Sequence, residues 1–94
     1  MRIFLKKFGN ILTSRQAGKE ALAAFEPNLR ALTADESIEI DFDGVGSLTP
    51  SWADEFLIPI FQRYPERVKF LPTDNSSVKE TFALLEDIHK IRLS

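Results

Sequence analysis

Residues 38–43 alternate between apolar and acidic side chains, and this alternation constrains the fold more than any other feature of the sequence. The apolar set is Ile38, Ile40 and Phe42, and the acidic set is Glu39, Asp41 and Asp43. A period of two residues is typical of a β-strand with one buried face. Strands covered on both faces usually read as continuous apolar runs. The pattern therefore predicts a sheet whose helices pack mainly on one face.

A turn and an amphipathic helix follow this strand. Gly44 and Gly46 permit a tight turn that other residues resist. Apolar residues then recur at helical spacing, namely Ala53, Phe56, Leu57, Ile60, Phe61 and Tyr64. Pro59 lies inside the helical pattern and predicts a kink or a loosened turn over residues 55–59, because it removes a backbone hydrogen bond.

The segment before the central strand predicts one more strand and one more helix. Residues 2–8 read as a first strand, placed at a sheet edge because charges fall on both of its faces, and residues 11–12 offer an alternative hairpin with it. Thr13 and Gln16 have the spacing of a capping box with Thr13 as the N-cap, so a helix is expected to begin near Ser14. Pro27 is expected to break or kink that helix.

The segment after the central helix predicts a third strand and a third helix. Residues 67–71 alternate again, and their basic side chains would lie beside the acids of the central strand if the two strands are neighbours. Ser77 and Glu80 have capping-box spacing. Apolar residues at Val78, Phe82, Leu85 and Ile88 predict the buried stripe of the last helix. Residues 91–94 are predicted to fray.

The order strand–helix–strand–helix–strand–helix predicts an α/β fold, with three to four mostly parallel strands and helices mainly on one face. The chain has 94 residues, which is too few for two hydrophobic cores. A single domain over residues 1–94 is therefore expected. Because 44% of the residues are hydrophobic, this domain can bury a core without a metal or disulfides.

Composition disfavours several classes of function. The formal net charge of −2 offers no electrostatic attraction for nucleic acid or anionic membranes. The sequence contains no cysteine, so disulfides and thiol nucleophiles are excluded. It also has no apolar run of the roughly 20 residues that span a membrane, and its N-terminus lacks a signal-peptide pattern. A cytoplasmic protein without membrane or nucleic-acid partners is predicted.

Catalytic and metal-binding constellations are weak in this sequence. His89 is the single histidine, is expected at the surface near the end of the last helix, and has no G-x-S-x-G nucleophile to serve. The four acids Asp41, Asp43, Asp54 and Glu55 suit a hard cation, but a solvated strand face and the first turn of a helix explain them better. The sequence predicts neither an enzyme nor a metal site, and no cofactor.

The glycine turn offers an alternative binding function. Gly44 and Gly46 follow a strand and precede a helix, where a phosphate-binding loop would lie. The turn lacks the third glycine of a dinucleotide fingerprint and the Gly-Lys-Ser/Thr of a P-loop. A small-ligand or nucleotide-binding domain that uses the Gly44–Ser51 turn therefore stays an alternative, as does a structural domain that forms homodimers.

Three hydroxyl residues, Ser47, Thr49 and Ser51, cluster between the turn and the central helix. Thr49 followed by Pro50 fits a helix N-cap with proline at the first helical position. Ser51 with Asp54 fits a capping box. A phosphate on this cluster would add a charge of about −1.5 to −2 and would alter the surface more than the fold.

Trp52 adjoins the hydroxyl residues, and two interpretations of it are open. Tryptophan is usually part of a core. An exposed tryptophan would instead be a candidate contact for a protein partner, because this residue is enriched at binding hot spots.

Several motifs in this order resemble the STAS-like domain family, relatives of the anti-sigma-factor antagonists. They are Phe8 with residues 12–15 (LTSR), residues 38–45 (IEIDFDGV) and residues 51–56 (SWADEF). Phe70 and residues 78–85 fit more loosely. The resemblance covers most of the chain, and it implies an α/β sheet with helices predominantly on one face.

The resemblance also implies a role in protein interaction. Antagonists of this fold bind a histidine-kinase-like ATPase, which phosphorylates a serine at this turn and so switches partners. Ser51 is the nearest equivalent here. Antagonists carry Asp-Ser-Ser/Thr-Gly at this place, whereas this chain reads Thr49-Pro50-Ser51-Trp52. This difference in sequence weakens the inference of phosphorylation more than it weakens the inference of the fold.

The sequence thus predicts a non-enzymatic signalling module that binds a protein at the surface of residues 47–56. Ser51 is the candidate phosphoacceptor, and a histidine-kinase-like ATPase is the favoured partner. The predicted partner contacts are Ser47, Thr49, Trp52, Asp54 and Glu55. The oligomeric state is left open.

Overall fold

A computed structural model describes residues 1–93. Within them the chain forms five strands and three α-helices. In chain order these are β1 (Arg2–Phe4), β2 (Ile11–Leu12), α1 (Arg15–Arg30), β3 (Ile38–Asp41), β4 (Ser47–Leu48), α2 (Pro50–Arg63), β5 (Val68–Phe70) and α3 (Ser76–His89). A short 3₁₀ segment, Leu5–Phe8, follows β1.

The strands form two parallel sheets. The larger sheet has the order β1-β3-β5, so that the acidic-alternating strand β3 lies in the middle and β1 at an edge. The smaller sheet pairs β2 with β4. The predicted α/β class and the parallel pairing are confirmed. The strand count exceeds the predicted three to four, because a two-residue strand is too short to leave a periodic pattern.

Side chains divide between the two faces of the larger sheet as the alternation predicts. Ile3, Ile38 and Ile40 are buried together with apolar residues of the helices. On the opposite face, Arg2 lies 3.4 Å from Glu39 across the neighbouring strands β1 and β3. The helices therefore cover one face, as expected.

The predicted ion pairing across the sheet is only half right. Strands β3 and β5 are neighbours, and Glu39 lies beside Lys69 in the register. The cation that contacts Glu39 is nevertheless Arg2 from β1, which also lies 3.9 Å from Asp41. The acidic face of β3 is therefore paired with the first strand rather than with the last.

Aromatic rings form the centre of the core beneath α1 and α2. The Trp52 and Phe56 ring centroids lie 4.9 Å apart, and Phe8 lies 5.0 Å from Phe56. Phe25 of α1 closes the group at 6.0 Å from Phe56. This packing fixes the first two turns of α2 against α1.

The N-terminal strand is shorter than predicted, and the hairpin alternative is wrong. Strand β1 ends at Phe4, after which Leu5 is fully buried in the 3₁₀ segment. Strand β2 pairs with β4 rather than folding back on β1. The chain therefore turns away from the larger sheet four residues earlier than its apolar composition indicated.

Helix α1 begins and ends differently from the prediction. Its N-cap is Ser14, whose hydroxyl accepts a hydrogen bond from the Ala17 N–H at 3.0 Å, and not Thr13. The helix also continues through Pro27. Phe25 and Leu29 are buried on either side of this proline. We infer that their packing offsets the backbone hydrogen bond that Pro27 removes.

Helix α2 begins as predicted and α3 does not. Thr49 is the N-cap of α2, with Pro50 at the first helical position, and α2 continues through Pro59 as one helix. The N-cap of α3 is Asn75, whose side-chain oxygen accepts from the Val78 N–H at 3.1 Å. The predicted cap, Ser77, bonds to β4 instead.

The C-terminal part of the chain is more ordered than predicted. The Leu93 N–H donates to Glu86 Oε2 at 2.7 Å, and Leu93 is buried. Residues 91–93 therefore pack against α3 instead of fraying, whereas Ser94 lies outside the described residues. The predicted burial of Ile88 is wrong, because 63% of it is exposed. No helix within residues 1–93 is both long and apolar enough to cross a membrane.

Gly18 of α1 allows the closest approach between α1 and α2. A Cβ atom at this position would lie 2.6 Å from the Trp52 carbonyl oxygen and 3.1 Å from the Glu55 Cβ. Gly18→Ala should therefore destabilise the protein. Overpacking costs about 1–3 kcal/mol, which outweighs the gain in helix propensity of about 1 kcal/mol. Urea unfolding with a constant m-value checks this prediction.

Ala24→Gly is the matched control, because Ala24 is an exposed position in the same helix. It should lower the free energy of unfolding by only the propensity difference of about 1 kcal/mol. If Gly18→Ala raised the stability, the close contact between the helices would be disproved.

Candidate functional site

The helices α1 and α2 begin side by side because the strands before them are paired. Leu12 lies opposite Leu48 in the parallel β2–β4 pair. One residue further on, the Thr49 hydroxyl donates to the Thr13 carbonyl oxygen at 2.7 Å, across a separation of 36 residues. We refer to residues 13–19 and 49–55 as the paired helix start.

The same register continues into the two helices. Gly18 contacts the backbone of Trp52 and the Glu55 side chain, and Lys19 Nζ lies 3.7 Å from Glu55 Oε1. Further along, Arg63 Nη1 lies 2.7 Å from Glu26 Oε1. Helices α1 and α2 are therefore parallel and aligned from their first turn onward.

The backbone of the glycine turn is bonded internally. Gly44 has a φ of 83°, a conformation that L side chains rarely adopt. The N–H groups of Gly46 and Ser47 both donate to the Asn10 carbonyl oxygen, at 2.7 and 3.0 Å. The Leu48 N–H donates to the Ser77 hydroxyl at 2.9 Å. The N–H groups of residues 46–48 are thus already engaged and are not presented to a phosphate, which disfavours the nucleotide alternative.

Helix α3 holds β4 in place through two hydroxyl groups. The Ser77 hydroxyl donates to the Leu48 carbonyl oxygen at 2.9 Å, and the buried Thr81 hydroxyl donates to the same oxygen at 2.6 Å. The Asn75 side-chain amide also donates to the Val45 carbonyl oxygen at 2.8 Å. The start of α3 therefore fixes the position of the segment that leads into α2.

The three predicted hydroxyl residues have separate environments. Thr49 caps α2 by accepting from the Trp52 N–H at 3.4 Å. Ser47 is half-buried in β4. Ser51 is the second residue of α2 and is half-buried. The predicted capping box from Ser51 to Asp54 is wrong, because Thr49 is the N-cap and Asp54 bonds to other helices.

Trp52 belongs to the core. Only 1% of it is exposed, and its ring stacks on Phe56. The prediction that Trp52 contacts a partner is therefore wrong for this conformation, since a partner has no access to its ring. The core interpretation of this residue is the correct one.

An ion-pair cluster joins the three helices next to Ser51. Arg15 Nη1 lies 3.0 Å from Asp54 Oδ2 and 3.1 Å from Glu55 Oε2. His89 Nε2, from the last turn of α3, lies 2.7 Å from Asp54 Oδ1. His89 is thus not an isolated surface residue, and its side chain is only 25% exposed. Its pairing was invisible in the sequence, because the two residues are 35 positions apart.

The family model described as a STAS-like domain of unknown function (DUF4325) matches residues 17–78. The chain belongs to this STAS-like family. No curated protein and no solved structure matches the chain significantly. The matched region of this STAS-like domain includes β4 and all of α2, whereas Arg15 and His89 lie outside it.

The ion-pair cluster of the STAS-like domain shifts two ionisation equilibria. Partial burial acts to raise the pKa of Asp54, but hydrogen bonds from Arg15 and His89 outweigh it and lower that pKa. The hydrogen bond to Asp54 in turn raises the pKa of Arg15. Asp54 is therefore ionised at neutral pH, and the two acidic residues among the predicted partner contacts on α2, Asp54 and Glu55, have internal counterions.

The acidic residues considered for a cation site fall into two separate places. Asp41 and Asp43 line an open cavity of about 440 Å³ together with Asp74, beyond the ends of β3 and β5. Asp54 and Glu55 instead face the cations of the ion-pair cluster. Among residues 1–93, no three histidine or acidic side chains are grouped so that they could hold a metal ion.

The lowered pKa of Asp54 predicts a pH-dependent contribution to stability. A carboxyl whose pKa is depressed on folding stabilises the fold above its unfolded pKa of about 3.9, and this contribution is lost as the pH falls through the folded value. Asp54→Asn should lower the free energy of unfolding at pH 7 by about 1 kcal/mol or less. The difference from the wild type should shrink as the pH falls below the unfolded pKa of about 3.9 and through the lower folded pKa. Urea unfolding at several pH values measures it.

Asp87→Asn is the control, since Asp87 is an exposed aspartate on α3. It should leave stability nearly unchanged at neutral pH. A loss in Asp54→Asn that is equally large at pH 7 and at pH 3 would show that the ionised carboxylate is not the stabilising group.

Proposed function

We propose that this STAS-like domain is a non-enzymatic, cytoplasmic signalling module of bacteria that binds a partner protein at the paired helix start. A histidine-kinase-like ATPase with serine-kinase activity is the favoured partner, and Ser51 is the proposed phosphoacceptor. Asp54 and Glu55 are proposed contacts within this surface, and Ser47 of β4 is a proposed contact just before it. The chain belongs to the STAS-like family, and the proposal gives it the role that the related anti-sigma-factor antagonists have.

The observation that carries the proposal is the position of Ser51. Thr49 performs the capping of α2, so the Ser51 hydroxyl is not required for this role. Ser51 lies in the first turn of α2 and is partly exposed. The segment just before it is hydrogen-bonded to α3 and to β2. A partner would therefore find a serine on a rigid surface, as a kinase substrate or a docking contact requires.

The departure from the antagonist motif is compatible with this proposal. Where antagonists carry glycine, this chain carries Trp52, and its side chain points into the core. The bulky ring therefore does not obstruct access to Ser51.

Substitution of Ser51 by a charged residue tests the proposal. Histidine-kinase-like ATPases encoded beside the gene are titrated with the wild type and with Ser51→Asp by calorimetry. We expect binding to weaken at least tenfold, which corresponds to about 1.4 kcal/mol, because the new carboxylate adds to the negative charge of Asp54 and Glu55. Phosphorylation is followed by mass spectrometry with ATP present, and the phosphate is expected on Ser51.

Ser76→Asp is the matched control, because Ser76 is an exposed serine in the first turn of α3. It should leave the affinity unchanged. Equal affinities of the wild type, Ser51→Asp and Ser76→Asp would refute the proposed surface, and so would phosphate incorporation at another residue.

A further inference from the structure

We propose that Arg15 is the group that receives a phosphoryl group on Ser51, and that it leaves Asp54 and Glu55 when it does so. This inference rests on the proposed function, because it specifies how modification of Ser51 would be transmitted. It assigns a regulatory role to a residue outside the region matched by the family model.

The register of the paired helix start places Arg15 opposite Ser51. Thr13 is hydrogen-bonded to Thr49 across 36 residues, and Lys19 meets Glu55 with the same offset. Between these two contacts, α1 and α2 advance in parallel. Arg15, two residues after Thr13, is therefore level with Ser51, two residues after Thr49.

The helix face on which Ser51 lies leads to the same conclusion. Asp54 and Glu55 follow Ser51 by three and four residues, and residues at these spacings are neighbours on one helix face. The guanidinium of Arg15 contacts both carboxylates, at 3.0 and 3.1 Å. The Arg15 guanidinium therefore lies on the face that carries Ser51, but one helical turn further along α2. To reach Ser51, this group has to move by about one turn towards the N-terminus of α2.

Electrostatics favour the exchange once Ser51 is phosphorylated. In that reaction the Ser51 oxygen forms a bond to the γ-phosphorus of ATP, the bond to ADP breaks, and the hydroxyl proton leaves to the base of the kinase. The product carries about −1.5 to −2 charges and three acceptor oxygens, whereas each carboxylate carries one charge. A guanidinium binds phosphate through two parallel hydrogen bonds.

The exchange requires little rearrangement of the fold. The Arg15 side chain is 51% exposed, so it turns without opening the core. Asp54 keeps its contact with His89, and Glu55 keeps Lys19. The result is a surface on which the phosphate is partly neutralised while the carboxylates of α2 have lost their shared counterion. A partner would then meet a change of charge at two neighbouring positions instead of one.

Phosphorus NMR of the chain with phosphoserine built in at position 51 tests this inference without any partner. The second pKa of the phosphate, about 6 in the absence of neighbours, is compared between the wild-type background and Arg15→Gln. A nearby cation favours the dianion, so Arg15→Gln should raise that pKa by about one unit. Circular dichroism confirms that both proteins are folded.

Lys19→Gln, which removes the second cation that contacts Glu55, should change the phosphate pKa less than Arg15→Gln does. In the wild type, the Arg15 side-chain N–H signal should shift when phosphoserine is at position 51 and stay in place when it is at position 76. Identical phosphate pKa values with and without Arg15 would overturn the inference. The proposed function would survive that result, because it is tested by partner affinity and not by the phosphate titration.

Discussion

The site depends on the parallel pairing of β2 with β4, in which Leu12 lies opposite Leu48, and on the hydrogen bond from Thr49 to Thr13 that follows it. The pair is short, but it sets where both following helices begin. The offset it establishes reaches as far as the ion pair between Lys19 and Glu55. Leu12 and Leu48 are themselves buried in the core, but each strand of the pair has only two residues. The effect of the pairing lies in fixing the register of two helices that bury much of the core.

Gly18 and Trp52 allow the two aligned helices to pack closely against each other. Gly18 removes the side chain that would otherwise hold α1 away from the first turn of α2. Trp52 fills the space beneath the same turn and stacks on Phe56. The first turn of α2 is therefore held from the side by a backbone contact and from below by aromatic packing.

Features that repeat along the sequence were predictable from it. Two-residue strands and contacts between residues far apart in the sequence were not. The alternation of β3 and the N-cap Thr49 followed from local rules, and so did the one-sided sheet. Strands β2 and β4 leave no periodic signal, because two residues cannot show alternation. Asn75 rather than Ser77 caps α3 because Ser77 is recruited by Leu48, a tertiary effect that no local pattern contains. The pairing of His89 with Asp54 is of the same kind.

Electrostatic neutralisation makes this surface a poor cation site and is compatible with the proposed phosphorylation of Ser51. Asp54 and Glu55 are matched by Arg15 and Lys19, with His89 completing the cluster. The internal counterions leave little attraction for a metal ion, which would have to displace a guanidinium and an ammonium group. Against this nearly neutral background, a phosphoryl group of about −1.5 to −2 charges becomes the largest local charge. The same ion pairs that make the acids poor metal ligands would therefore make the proposed modification of Ser51 easy for the proposed partner to detect.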